Sequence, residues 1–217
     1  MPLPPFPAGC LAVVGLAAEA ALLPEGLPFI CSGGRTERLG QLLAERPLPA
    51  AILSFGIAGG LAPGLACGAL VVADAVIEDG AALACDAGWA AAWAACSGAR
   101  LGPVAASDSV MGSAAAKVAL HRRTGALTVD MESGVAARFA RAAGIPFAAL
   151  RAIADPSGDA LVPSAALGLN PDGTPAPARV LAALLRRPQD LPGLLRIASQ
   201  SRRALARLRL AVARASA

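Results

Sequence analysis

The chain has 217 residues, enough for one medium-sized domain with a real hydrophobic core. Hydrophobic residues make up 56% and charged residues 16%, which excludes a disordered chain. The net charge of +4 is modest, and no basic cluster with aromatic stacking platforms argues for nucleic-acid binding.

The amino-terminal stretch MPLPPFPAGC has four prolines and no basic residue, so it does not read as a signal peptide. Residues 10–16 form a short buried strand ending near Gly15, followed by a helical turn that contains Glu19. A glycine directly after a first strand lets a ligand approach the backbone, although a simple tight turn reads equally well. Ser32-Gly33-Gly34-Arg35 is a turn, and Thr36 and Glu37 open a helix to about residue 45. Amides of a glycine turn at a helix start, with a guanidinium beside them, suit an anion, although an arginine after such a turn is more often simply solvated.

Residues 50–55 form the next strand and run into Gly56-Ile57-Ala58-Gly59-Gly60-Leu61. Glycines this dense mark a backbone that a ligand or another strand approaches closely. The pattern is neither a Walker loop nor a dinucleotide fingerprint. Residues 69–77 are a strand, Asp79-Gly80 a turn, and residues 86–95 a helix capped by Asp86 with Trp89 and Trp93 on one core face. Residues 101–106 form another strand. The helix after the following Ser-Asp loop carries the one lysine, Lys117, and the one histidine, His121, on what reads as a solvated side.

Residues 126–131 and 146–154 are apolar runs flanking a helical segment that ends at Gly144. A parallel strand–helix–strand unit would place them side by side, with Glu132 and Asp155 facing one crevice at the carboxyl edge. Residues 161–177 read as a long loop. The chain is then helical from about 178, with a break near 188–192. In the last helix Leu195, Ala198, Leu205, Leu208 and Val212 form a stripe among arginines, which suits packing on the domain or contact with an anionic membrane. Five cysteines without a CxxC pair, beside a single histidine, argue against zinc and for a reduced, cytoplasmic setting.

In order, these segments are a strand with Gly and Glu, then GIAGGLAPGLACGALVVAD, a Ser-Asp loop, TVDMES and LRAIADPSGD. The series resembles the nucleoside phosphorylase / methylthioadenosine–adenosylhomocysteine nucleosidase superfamily over roughly residues 10–160. The region between Gly15 and Ser54 and the carboxyl-terminal tail resemble one branch, the hopanoid-associated phosphorylases, thought to remove adenine from adenosylhopane.

The resemblance implies a single domain over 1–217, a three-layer α/β/α sandwich around a mixed, mostly parallel sheet, with a helical extension from about 178. It implies Asp155 as the acid at the purine and Glu132 as the carboxylate on the ribose hydroxyls, with Asp130, Met131, Val110, Met111, Ile57, Ala58 and Gly59 around the nucleoside. Phosphate, the co-substrate, would sit at Gly15, Gly34, Arg35 and Gly60, and no cofactor or metal is expected. In hydrolytic relatives a run of glutamates after the first strand activates water. Ungapped alignment puts Ala20 at that position, and Glu19 one residue off, facing elsewhere. The expected activity is therefore phosphorolysis of a lipid-linked nucleoside by a homo-oligomer at or near the inner membrane face. The alternatives are a hydrolytic nucleosidase and a non-catalytic nucleoside-binding protein.

Overall fold

Strands and helices alternate along most of the chain in the computed structural model, which describes residues 3–168, 170 and 172–216. Met1 and Pro2 of the proline-rich start, Leu169 and Pro171 of the long loop, and Ala217 lie outside the described residues. The strands are β1 (Cys10–Val14), β2 (Phe29–Cys31), β3 (Ala51–Gly60), β4 (Leu70–Glu78), β5 (Ala81–Ala84), β6 (Arg100–Ala106), β7 (Thr128–Asp130) and β8 (Phe147–Asp155). The helices are α1 (Ala17–Ala20), α2 (Thr36–Ala44), α3 (Ala87–Ser97), α4 (Ala114–Thr124), α5 (Ser133–Ala143), α6 (Pro177–Arg186) and α7 (Leu191–Ala215).

The sheet is mixed and mostly parallel, as expected. The pairs β1–β2, β1–β3, β3–β8, β4–β6 and β6–β7 are parallel, while β3–β7, β4–β5 and β4–β8 are antiparallel. On one face α2 and α5 bury Leu39, Leu43, Ala136, Ala137 and Ala140 against Val13, Ile52 and Val71. On the other, α3 and α7 bury Trp89, Trp93, Ala204, Leu208 and Val212 against Leu53, Phe55 and Leu150. Small alanines allow these close helix–sheet contacts, and the two tryptophans supply the volume the alanines lack. Asp86 caps α3 as expected, accepting from the Trp89 N–H at 2.8 Å.

Three expectations need correction. β7 and β8 are not neighbours: β7 pairs with β6 and, antiparallel, with the glycine end of β3, whereas β8 runs parallel to β3 along nearly its whole length. β3 is longer than its apolar run, because Gly56–Gly60 continue the strand and so come between the other two. Second, Asp79-Gly80, both at positive φ, turns β4 directly into the unexpected hairpin strand β5. Third, the buried stripe of α7 is Ala204, Leu208, Ala211 and Val212, while Leu195 is 62% exposed.

Candidate active site

The glycine half of β3 is the floor of the site, and charged side chains gather at its two ends. Arg151 sits in the middle of β8 opposite Gly56, fully buried. Its Nε donates to Asp130 Oδ2 at 2.8 Å, and its Nη2 donates to Ser133 Oγ at 3.0 Å and to Ser54 Oγ. Asp130 Oδ1 also accepts the N–H groups of Glu132 and Ser133 at 2.9 and 2.7 Å, which starts α5. Both oxygens of Asp130 are engaged with protein donors. Asp130, expected beside the nucleoside, is thus the anchor of Arg151 and α5.

Glu132 lies 4.0 Å from Arg151 Nη2 and accepts from Ser32 Oγ at 3.0 Å. Gly15 leaves it room, since a Cβ there would stand 2.7 Å from Glu132 Oε1 and push the carboxylate aside. Burial pushes the Glu132 carboxyl up, Arg151 opposes that, and Asp130 pushes it up further.

Glu19 completes this end. The expectation that it faces away is overturned: its side chain is buried, and Oε1 accepts the Ile57 N–H at 2.7 Å. Oε2 accepts the N–H groups of Gly15 and Leu16, both at 2.9 Å. The reason is local. α1 is a single turn, and Glu19, its third residue, reaches back to the orphan amides at its start as a capping glutamate does. Burial, then the charge of Glu132, raises the Glu19 pKa from 4.5 to about 7, against the opposing Ile57 N–H and Arg151. A Cβ at Gly56 would come 2.7 Å from the Glu19 carboxyl carbon and 2.8 Å from Arg151 Nη1, so only glycine lets the strand pass under both. Arg151 Nη1 is buried with no hydrogen-bond acceptor among the described residues. Burial works against the guanidinium charge, but three carboxylates outweigh it and hold its pKa above the ordinary value.

At the far end, Asp155 closes β8 above Gly59, and its Oδ2 pairs with the Lys117 ammonium. Lys117 is wholly buried, which corrects its expected place on a solvated surface. Burial pushes the Asp155 carboxyl above its usual range, with Lys117 pulling it back. Ile57 and Gly59, two residues apart on one strand, separate the ends by roughly 7 Å, about the span from sugar to base in a nucleoside.

The chain is 33% identical to futalosine hydrolase of Streptomyces coelicolor over 164 residues, 63% of this chain and 70% of that protein. A family model described as the phosphorylase superfamily matches residues 98–186. The chain belongs to the phosphorylase superfamily. Its fold agrees with a 5′-methylthioadenosine/S-adenosylhomocysteine nucleosidase from Neisseria meningitidis solved with methylthio-immucillin-A, at TM-score 0.70 and 15% identity over 96% of this chain and 98% of that one. Native futalosine hydrolase of Helicobacter pylori aligns at TM-score 0.60 and 17% identity, over 69% and 85% of the two chains.

Of the residues expected from the superfamily resemblance, Glu132, Ile57, Ala58, Gly59 and Asp155 lie along the β3 floor. Met131 is half-buried next to Glu132. Met111 packs on the cluster of Leu61, Leu120 and Val129, and Val110 is 59% exposed. The expected phosphate set does not assemble. The Gly15 amide is taken by Glu19 and the Gly34 amide by Ser32 Oγ. Gly60 pairs with Thr128 under the Pro156 backbone, and Arg35 is exposed. Half-buried His121 gives Nδ1 to the Ala126 carbonyl contact at 2.8 Å. Glu19, Arg151 and Lys117 are the members that sequence reasoning missed.

Proposed function

We propose that this chain hydrolyses the N-glycosidic bond of a purine nucleoside carrying a modified 5′ group. The observation that carries this reading is the buried Glu19 carboxylate hydrogen-bonded to Ile57 at the sugar end of the β3 floor. With a pKa near 7 it takes a proton from water at neutral pH. Water adds to the ribose carbon as the C–N bond breaks, Glu19 takes the water's proton, and Asp155 gives one to the departing base. The products are the free purine and the pentose. Glu132 accepts hydrogen bonds from the ribose hydroxyls, and its charge offsets the positive charge building on the ring. The superfamily membership and the similarity to futalosine hydrolase support the bond type.

Phosphate is the weaker nucleophile for this site on electrostatic grounds. Glu19, Glu132 and Asp130 already surround the Arg151 guanidinium, so an entering dianion would compete with three carboxyl groups for that cation. Of the amides that would hold it, that of Gly15 is occupied by Glu19 itself and that of Gly34 by Ser32 Oγ. Purified protein should release purine from 5′-substituted nucleosides equally with and without phosphate, and Glu19→Gln should stop release in both. Release confined to phosphate-containing buffer would restore phosphorolysis.

The second reading is the lipid-linked one, adenosylhopane as substrate with peripheral membrane contact. What favours it is the carboxyl-terminal segment: nine arginines against one aspartate between residues 177 and 216, with Leu181, Leu185, Leu191 and Leu195 exposed among them. Cosedimentation with anionic but not neutral liposomes, lost on changing these four leucines to serine, would support it. Equal recovery in the supernatant with both lipids would remove it.

A further inference from the structure

Lys117 stands on α4, outside every motif discussed above, yet it is wholly buried. Its ammonium faces four acceptors: Asp155 Oδ2 and the carbonyls of Asp155, Pro156 and Asp159, the last three at 3.2, 3.1 and 2.9 Å. An ammonium has three donors, so every one is spent on the end of β8 and the turn after it. Burying a lysine is costly unless it is paired and hydrogen-bonded, and here it is both. The chain uses arginine at its other eighteen cationic positions and lysine only here. A compact ammonium with three donors matches a pocket of three carbonyls and one carboxylate oxygen.

We propose that Lys117 is a positioning residue for base departure: it clamps Oδ2 of Asp155 so that Oδ1 meets the purine, and it stabilises the carboxylate left after the proton is given. This rests on the reading of the site as cleaving an N-glycosidic bond. The proton passes from the Asp155 carboxyl to the ring nitrogen of the leaving base, and the resulting anion is neutralised by the adjacent ammonium. The titratable and charged groups facing Asp155 are Lys117 from α4, Asp159 from the following turn and Cys67 from the segment before β4, with Arg203 of α7 behind Cys67. β3 contributes only uncharged Gly59. Lys117 is the cation in direct contact. Without it, dry surroundings and Asp159 alone act on the carboxyl, and both favour the protonated form.

The test is the pH dependence of kcat/KM for wild type, Lys117→Gln and Lys117→Arg. Glutamine keeps N–H donors for the carbonyls and removes the charge. We expect kcat to fall about 100-fold and one limb of the profile to move at least about one pH unit higher, while the Glu19 limb near pH 7 stays. Arginine should return that limb to its wild-type position. Lower activity with both limbs in place means a merely structural lysine and overturns the proposal. The double variant Lys117→Gln/Asp155→Asn should be no slower than Asp155→Asn alone, whereas additive losses also overturn it.

If Lys117→Gln does not fold, wild-type NMR decides. The Lys117 ammonium nitrogen should shift at the pH where the Asp155 carboxyl carbon titrates, and a flat nitrogen signal overturns the pairing. That readout needs no turnover. Absence of purine release by wild type would instead strike the hydrolytic reading.

Discussion

Glu19 carries the chemical step in this account, and its position follows from a one-turn helix. A glutamate three residues into α1 caps the backbone it came from and in doing so reaches Ile57. Glu19→Gln is expected to lower kcat by at least about 100-fold. In the wild type, kcat/KM should rise with pH through about 7 as Glu19 ionises, which a pH–rate profile reads directly. Glu132 and Asp155 were legible in the sequence because each ends an apolar run within a specific motif. Glu19 was not, because the ungapped comparison assumed a regular helix where the chain makes a single turn. Lys117 left one signal, a lone lysine among arginines, and it reads as drift until its burial is known. Arg151 left another: a charge in the middle of an apolar run that must be a buried strand.

The element that decides the geometry is β3. Its apolar half was evident from the sequence, but the dense glycines after it mark only a place of close approach by composition and are strand in the structure. Strand pairing won because the missing side chains make room for Glu19, Arg151 and Asp155 above an otherwise ordinary ladder. The expected side-by-side placement of β7 and β8 failed for the same reason, since β3 extends between them. Gly56→Ala should therefore crowd Glu19 and Arg151 and cost at least about tenfold in kcat/KM, measured by purine release, while the circular dichroism spectrum stays unchanged. Arg151→Met should do more. It leaves Asp130, Glu132 and Glu19 buried without their shared cation, and unfolding in urea should show a loss of about 3–5 kcal/mol.

At the scale of the whole molecule, three acids of the site, two buried and one half-buried, share one direction. Glu19, Glu132 and Asp155 all have pKa values above their ordinary ranges. The folded protein therefore keeps protons that the unfolded chain releases. Their contribution to stability is fully present below about pH 4 and is lost as pH rises through the folded values, about 7 for Glu19. Glu19 alone accounts for roughly 3 kcal/mol of that loss. Urea unfolding at pH 5 and pH 8 should show the protein more stable at pH 5, and Glu19→Gln should flatten the difference. The α/β layering was readable from the alternation of strands and helices. The packing of α7 was readable in kind but not in its stripe, because Leu195 lies in the opening turns that precede the part of the helix lying on the core. Leu208→Ala should cost about 2–5 kcal/mol, as a core leucine does, and a loss under about 0.5 kcal/mol would detach α7 from the domain.

The central claim is that water, activated by Glu19, is the nucleophile. A single turnover with a 5′-substituted purine nucleoside in phosphate-free, ¹⁸O-enriched water tests it most directly. One ¹⁸O atom is expected in the pentose product of the wild type, and no product from Glu19→Gln on the time scale of the wild-type turnover. A wild-type enzyme inert in that buffer, and yielding a pentose 1-phosphate without the label once phosphate is added, would contradict it.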